Sequence, residues 1–238
     1  MILAGIDDTD TLDSPGTNKV ARQIVEELSP DWHCRLIVRH QLLFDPRVPY
    51  TSKNSSASLW LEPRNSPSCS ATALHDRICE ALQTRFVPGS DPGVCVVEQV
   101  PAEIKAFGLR CQQSVVSQQE ARDLAARQSI LLKGLGGTED GVIGALAAVG
   151  LASTANDGRI VQIEQTADDL SGPQSAEKLS QRGIADFRCA ESGGSIDPAI
   201  IAEVDIGKHL RPNLRDGKIV LFIEKSSDAP AWQAVRRL

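Results

Sequence analysis

The order of apolar and polar positions along the chain predicts a series of short strands and helices. An apolar opening, Met1–Ala4, leads into the acidic segment Gly5–Asp10, and periodic apolar positions then predict a helix over about Thr17–Leu28. Two β-like runs, a helical pattern and a buried strand follow at His33–Phe44, Ser56–Leu61, Thr72–Phe86 and Val94–Val97. This β-α-β-β-α-β order is typical of the ferredoxin-like split arrangement.

A glycine-led helix is the second informative pattern. Gly136 and Gly137 can take positive φ and expose N–H groups, and a phosphate could sit at the start of the helix that follows. Gly144, Ala145, Ala147 and Ala148 would let that helix approach a neighbour closely. The loop lacks the Gly-Lys-Ser/Thr of a P-loop. A helix cap with close packing is the structural alternative.

The remainder of the chain predicts a smaller unit. A polar stretch, Asp168–Pro173, precedes a helical pattern over Ala176–Gln181. Candidate strands follow at Ala185–Cys189 and Lys218–Glu224, and Asn213–Gly217 is interpreted as the turn before the second of them. The sequence therefore predicts an α/β (α+β) protein with a ferredoxin-like or related mixed-sheet core over residues 1–165. A small C-terminal α+β subdomain would occupy residues 166–238.

Composition narrows the class of protein. A chain of 238 residues with 41% hydrophobic content can bury a sizeable core. No apolar run approaches the ~20 residues of a membrane span, so we expect a cytoplasmic protein without a membrane partner. A net charge of −6 disfavours nonspecific nucleic-acid binding by the whole surface and leaves a local basic groove open. Six scattered cysteines without a C-x-x-C pair argue against a zinc ribbon.

The acidic segment is the strongest candidate for chemistry. On an extended backbone Asp7 and Asp8 point to opposite faces, whereas Asp8 and Asp10 can share one. Clustered carboxylates repel one another unless a cation or backbone N–H groups offset the charge, and Mg2+ with a nucleotide phosphate supplies that offset. The structural alternative is an Asp-rich loop that caps a helix and forms Asx turns.

Three segments together resemble the archaeal tRNA(Ile) 2-agmatinylcytidine synthetase family: Gly5–Asp10, Pro49–Asn54 and Gly141–Gly150. The resemblance covers that family's N-terminal kinase-like domain, roughly residues 1–165 here. It implies that the acidic segment and the glycine-led helix converge on ATP and Mg2+. It also implies phosphoryl transfer to a nucleoside-like or RNA-like acceptor.

The resemblance also implies roles for particular residues. Asp8 and Asp10 would bind the metal, and Asp7 and Thr17 would be catalytic. Thr17 lies in Gly16–Val20, where the family has Gly-Met-Cys-Thr-Thr-Tyr-Leu; the alternative is a helix N-cap. The remaining assignments are ATP binding by Lys133, Gly136, Gly137, Gly141 and Gly144, and substrate binding by Lys53 and Asn54. Exposed-lysine and turn roles are the alternatives for Lys133 and Asn54.

Two other functions use the same residues. One is a noncatalytic nucleotide- or RNA-binding module that kept the scaffold without the family's cysteine-threonine segment. The other is a metal-dependent hydrolase in which the aspartates activate water.

Overall fold

The structure, a computed structural model, divides into two compact units. They comprise Met1–Thr154 and Ala155–Leu238. The described residues are 1–11, 13–14, 16–48, 54–64, 69–164, 168–226 and 231–237. The functional division into a kinase-like domain over 1–165 and a subdomain over 166–238 stays a prediction.

The first unit begins with the predicted β-α-β-β-α-β order. Its elements are β1 (Ile2–Asp7), α1 (Thr17–Leu28), β2 (Trp32–Gln41), β3 (Ser55–Pro63), α2 (Ala71–Gln83), β4 (Gly93–Val97), α3 (Ala102–Cys111), α4 (Gln118–Arg127), β5 (Leu131–Gly134) and α5 (Gly141–Ala152). The strands lie in the order β5-β4-β1-β3-β2, and all of these neighbours are antiparallel. The four strands β4-β1-β3-β2 confirm the predicted ferredoxin-like core.

Central strand β1 presents its side chains to helices on two faces of the sheet. Leu3 belongs to a buried cluster that includes residues of α3, α4 and α5. Because side chains alternate along a strand, Gly5 and Asp7 lie on the same face as Leu3. Ile6 points to the other face, where α1 and α2 pack against the strands.

Helix α5 packs unusually close to the sheet. All of its residues except Ile143 are buried, as expected of a helix that is apolar on every side. A Cβ atom added at Gly5 would lie 2.0 Å from the carbonyl oxygen of Ala145, and one added at Gly93 would lie 2.1 Å from the carbonyl carbon of Gly141. The first turn of α5 is therefore held at the end of the sheet where β1 ends and β4 begins.

The second unit is a mixed α+β structure. Its elements are β6 (Arg159–Ile163), β7 (Pro173–Ser175), α6 (Ala176–Gln181), β8 (Asp186–Cys189), β9 (Ser195–Ile196), a 3-10 turn (Pro198–Ile200), β10 (Glu203–Asp205), β11 (Asn213–Arg215), β12 (Lys218–Lys225) and β13 (Trp232–Ala234). Both parallel and antiparallel pairs occur, for example β10 with β13 and β11 with β12. Helix α6 has the predicted bounds.

The predicted turn over Asn213–Gly217 is wrong in its first three residues. Asn213–Arg215 form β11, which pairs with β12. The connection consists of Asp216 and Gly217, with φ of +51° and +71°. Two consecutive positive φ angles are typical of a type I′ hairpin, for which Asp-Gly is a favoured pair.

Within the described ranges, no helix combines the length and the sustained hydrophobicity needed to cross a bilayer.

Candidate functional site

One end of the first unit's sheet gathers most of the predicted site. Asp7, the last residue of β1, pairs with Gly93 at the start of β4, and Gly93 pairs with Gly134 at the end of β5. The start of β3 lies on the other side of β1, because Ile6 pairs with Ala57. The acidic loop after β1, the segment before β4 and the loop between β5 and α5 therefore meet at this end.

The Asp7 carboxylate lies against the first turns of α5. A Cβ atom added at Gly144 would lie 1.7 Å from Oδ2 of Asp7, so the carboxylate occupies the space that a larger side chain would need. Burial raises the pKa of Asp7 well above its usual value, and the nearby Asp8 charge raises it further. The Asp7 carboxylate therefore binds a proton more readily than an ordinary aspartate does.

Asp8 directly follows β1 and has a strained backbone. Its φ is +49°, and its carbonyl accepts a hydrogen bond of 3.2 Å from the amide of Asp91. Burial raises the pKa of Asp8 to about 6, and the charges of Asp91, Asp10 and Asp140 contribute to the increase. The site is therefore rich in negative charge, which favours a bound cation.

Asp8 should make the stability of the ligand-free protein depend on pH. The folded-state pKa of about 6 exceeds the ordinary 3.8, so ionised Asp8 destabilises the fold above pH 6. The contribution becomes more favourable as the pH falls through about 6 toward 4. Asp8→Asn should therefore be more stable than wild type at pH 8, and the difference should shrink at pH 4.5.

The measurement is urea unfolding at both pH values without divalent cations. Asp13→Asn is the control because Asp13 is exposed in the same loop. A stability difference for Asp8→Asn that is the same at both pH values would contradict the assignment.

Asp10 and Thr17 are brought together at the start of α1. Oδ1 of Asp10 accepts hydrogen bonds from the Thr17 amide at 3.1 Å and from its hydroxyl at 2.6 Å. The N-cap position is Gly16, so Thr17 is the first helical residue and the Asp10 carboxylate caps the helix through space. A carboxylate at a helix N-terminus also interacts favourably with the helix dipole.

Asp91 is a site residue that the sequence analysis missed. Its carboxylate accepts hydrogen bonds from the Thr138 amide at 2.8 Å and from the Thr138 hydroxyl at 2.6 Å. A Cβ atom at Gly137, whose φ is +61°, would lie 1.4 Å from Oδ1 of Asp91. Asp91 thus anchors the glycine loop to the start of β4. Asp91 could have been found from its position two residues before β4, because the ferredoxin-like order places β4 beside β1.

The predicted phosphate-binding glycines are packed against the protein's own atoms. A Cβ at Gly136 would lie 2.5 Å from the Phe86 ring, and one at Gly141 would lie 2.2 Å from the Asp91 carbonyl oxygen. Close packing, the structural alternative, therefore applies at these positions. Among the described residues, the amides of Gly136, Gly137 and Asp140 have no acceptor, and these N–H groups can still bind an anion.

Asp91→Ala should loosen the glycine loop without unfolding the unit. Loss of a hydrogen bond to a charged acceptor costs roughly 1.5–3 kcal/mol, so the Thr138 amide should exchange its hydrogen at least about tenfold faster. Native-state hydrogen exchange measures this change. Thr138→Val, which removes only the hydroxyl, is the matched variant and should have a smaller effect. Unchanged exchange in Asp91→Ala would show that the carboxylate does not hold the loop.

The other predicted binding residues do not all lie beside the Asp7 carboxylate. Lys133 pairs with Val94, one residue away from the Gly93–Gly134 pair, so its exposed side chain points to the face opposite Asp7. Asn54 lies at the same sheet end as Asp7, and its Nδ2 donates to the Leu43 carbonyl at 2.7 Å. That bond fixes the connection between β2 and β3, as the turn alternative predicts. Lys53 lies outside the described residues, as do residues 49–52 of the same segment.

The chemistry of the cluster suits a magnesium ion with a nucleotide. Among the described residues, no three acidic, histidine or cysteine side chains converge into a ready-made metal site. Mg2+, however, commonly uses one or two carboxylates and takes its other ligands from water and phosphate. Asp8 and Asp10 provide such oxygens. The Thr9 hydroxyl between them is buried and has no hydrogen-bond partner among the described residues, as expected beside a site that a ligand or water completes.

Several solved structures resemble this chain in fold at low sequence identity. No family model and no curated protein matches the chain. A structure described as a tRNA fluorescent labeling enzyme is 24% identical with a TM-score of 0.55, and it covers 63% of this chain and 35% of its own. Apo tRNAIle2 agmatidine synthetase (TiaS) is 23% identical with a TM-score of 0.54, with the same coverages. The TiaS–tRNA(Ile2)–ATP complex is 24% identical with a TM-score of 0.55, and the match covers 63% of this chain and 36% of the TiaS chain.

The chain thus spans about a third of the length of these proteins. The first unit contains 154 of the 238 residues, a share close to the 63% of this chain that the matches cover. Over 63% of its length, therefore, this chain has the fold of part of tRNAIle2 agmatidine synthetase, which confirms at the level of the fold the resemblance that the sequence motifs predict.

Proposed function

We propose that the first unit binds ATP with Mg2+ and transfers a phosphoryl group to a nucleoside-like or RNA-like acceptor. The observation that carries the proposal is the meeting of four aspartates with glycine-loop amides that have no acceptor among the described residues, all at one end of the sheet. The aspartates are Asp7, Asp8, Asp10 and Asp91. Solved structures of similar fold include complexes with tRNA and ATP. The second unit has no assigned part in this activity.

Each group has a distinct task in the proposed reaction. Mg2+, held by Asp8 and Asp10, would supply charge neutralisation at the phosphates. The amides of Gly136 and Gly137 would orient phosphate oxygens. Asp7, whose raised pKa makes it a better base than an ordinary aspartate, would take the proton from the acceptor hydroxyl. Positioning and electrostatics then supply most of the acceleration, as in other phosphoryl transferases.

Following the γ-phosphate of labelled ATP tests the proposal. Wild-type protein is incubated with ATP, Mg2+ and either a nucleoside or transfer RNA, and label is measured in the acceptor and as free phosphate. Transfer of label to an acceptor supports the proposed function. Free phosphate without labelled acceptor would favour the metal-dependent hydrolase, and ATP binding without release of label would favour the noncatalytic binding module.

A further inference from the structure

Arg39 is a buried charge in the first unit. Arg39 lies near the end of β2 and is only 7% exposed. Arg39 pairs with Ala57, and Ala57 pairs with Ile6, so these side chains share the face that packs against α1 and α2. The guanidinium is therefore on the face opposite the Asp7 carboxylate, at the same end of the sheet.

No described residue neutralises this charge. Among the described residues, the single hydrogen bond of the Arg39 guanidinium runs from Nη2 to the neutral Oε1 of Gln41, at 3.1 Å. None of the described ion pairs involves Arg39. Burial lowers the pKa of the guanidinium, as expected for a cation without a nearby anion. Buried charges are normally paired, because an unpaired one is costly.

The Arg39 guanidinium has unused donors that are not completely enclosed by the protein. A guanidinium has five N–H donors in a planar fork, and one of them is used here. In the described part of the chain, Nε of Arg159 is fully enclosed and has no hydrogen-bond partner. None of the Arg39 nitrogens is in that situation. The unpaired nitrogens of Arg39 are thus recessed but not completely enclosed.

We propose that Arg39 forms a binding site for the terminal phosphate or pyrophosphate group of a small ligand. The fork matches the geometry of phosphate oxygens. Because no described carboxylate pairs with it, the guanidinium is available to an external anion. A recessed guanidinium admits a terminal phosphate more readily than the phosphodiester backbone of an RNA strand, which needs an open groove. The site requires neither Mg2+ nor phosphoryl transfer.

Pyrophosphate, ATP and adenosine are titrated into the full chain without Mg2+, using calorimetry and thermal unfolding. The variants are Arg39→Met and Arg39→Lys. Arg35→Met is the matched control, because Arg35 is exposed on the same strand. An RNA oligonucleotide without terminal phosphates provides the competing ligand.

The expected result separates a binding role from a structural one. Without ligand, Arg39→Met should unfold at the same or a higher temperature than wild type, because an unpaired buried charge is removed. It should bind pyrophosphate at least tenfold more weakly and lose the ligand-induced rise in Tm. Arg39→Lys should keep part of the affinity, and Arg35→Met should match wild type. Binding of both pyrophosphate and ATP, but not adenosine, identifies the phosphate group as the ligand, and tighter binding of ATP identifies a nucleotide.

Three results would overturn the proposal. They are no pyrophosphate or ATP binding by wild type, affinity in Arg39→Met within twofold of wild type, and a large loss of stability in ligand-free Arg39→Met. Arg39-dependent binding of the RNA oligonucleotide, as tight as that of pyrophosphate, would also contradict a site for small ligands. Because Mg2+ and acceptor are omitted, failure of phosphoryl transfer leaves this test unaffected.

Discussion

Asp8→Asn should reduce Mg2+-dependent ATP turnover by about a hundredfold or more while the protein stays folded. Removal even of a residue that supports a metal ligand commonly costs about 10–100-fold, and Asp8 is a proposed ligand itself. Asparagine keeps the shape of the side chain and removes the charge that binds the cation. The variant should also relieve repulsion with Asp10, Asp91 and Asp140, so its loss of activity should not come with a loss of stability.

Steady-state turnover with and without Mg2+, together with urea unfolding, measures both parts of this expectation. Asp13→Asn is again the control, since it removes an equal charge from an exposed position in the same loop. Unchanged turnover in Asp8→Asn would remove Asp8 from the catalytic account. Loss of turnover to the same extent in Asp13→Asn would show that only the overall charge of the loop matters.

Gly5→Ala should destabilise the first unit by about 3 kcal/mol or more. A Cβ at Gly5 would lie 2.0 Å from the carbonyl oxygen of Ala145, which is backbone at the centre of a buried helix and cannot rotate away. Overpacking of a rigid core typically costs about 1–3 kcal/mol, and this contact is among the most severe in the unit. Helix α5 must then move away from β1, and the glycine loop moves with it.

Gly144→Ala provides an informative comparison. Its added Cβ meets the end of the Asp7 side chain, which can rotate, so the loss of stability should be smaller and the loss of turnover large. Gly194→Ala is the control because its Cβ would meet only the Ser192 hydroxyl, at an ordinary 3.5 Å. Chemical unfolding and turnover are measured on all three variants. A Gly5→Ala protein as stable as wild type would contradict the observed closeness of α5 to the sheet.

The sequence predicted those features that depend on local periodicity. Helix α1 has one apolar stripe, with Val20, Ile24 and Leu28 buried, and its bounds were predicted correctly. The order of strands and helices through β4 was likewise legible, and it predicted the ferredoxin-like core. Helix α5 was recognised from its small residues, which allow it to approach the sheet.

Features that depend on distant pairing were harder to predict. Asp91 has no local motif, and only the antiparallel pairing of β4 with β1 brings it to Asp8. The packing of Gly144 against Asp7 and of Gly137 against Asp91 likewise joins residues far apart in sequence. Lys133 is close to the glycine loop in sequence, but its side chain lies on the face of the sheet opposite Asp7. Closeness in sequence was therefore misleading for this residue.

Calorimetric titration of the wild-type chain with ATP, with and without Mg2+, tests the central claim most directly. The account predicts saturable binding of one ATP that becomes substantially tighter when Mg2+ is present, because the acidic cluster repels the bare triphosphate. Absence of ATP binding in the presence of Mg2+ would contradict it.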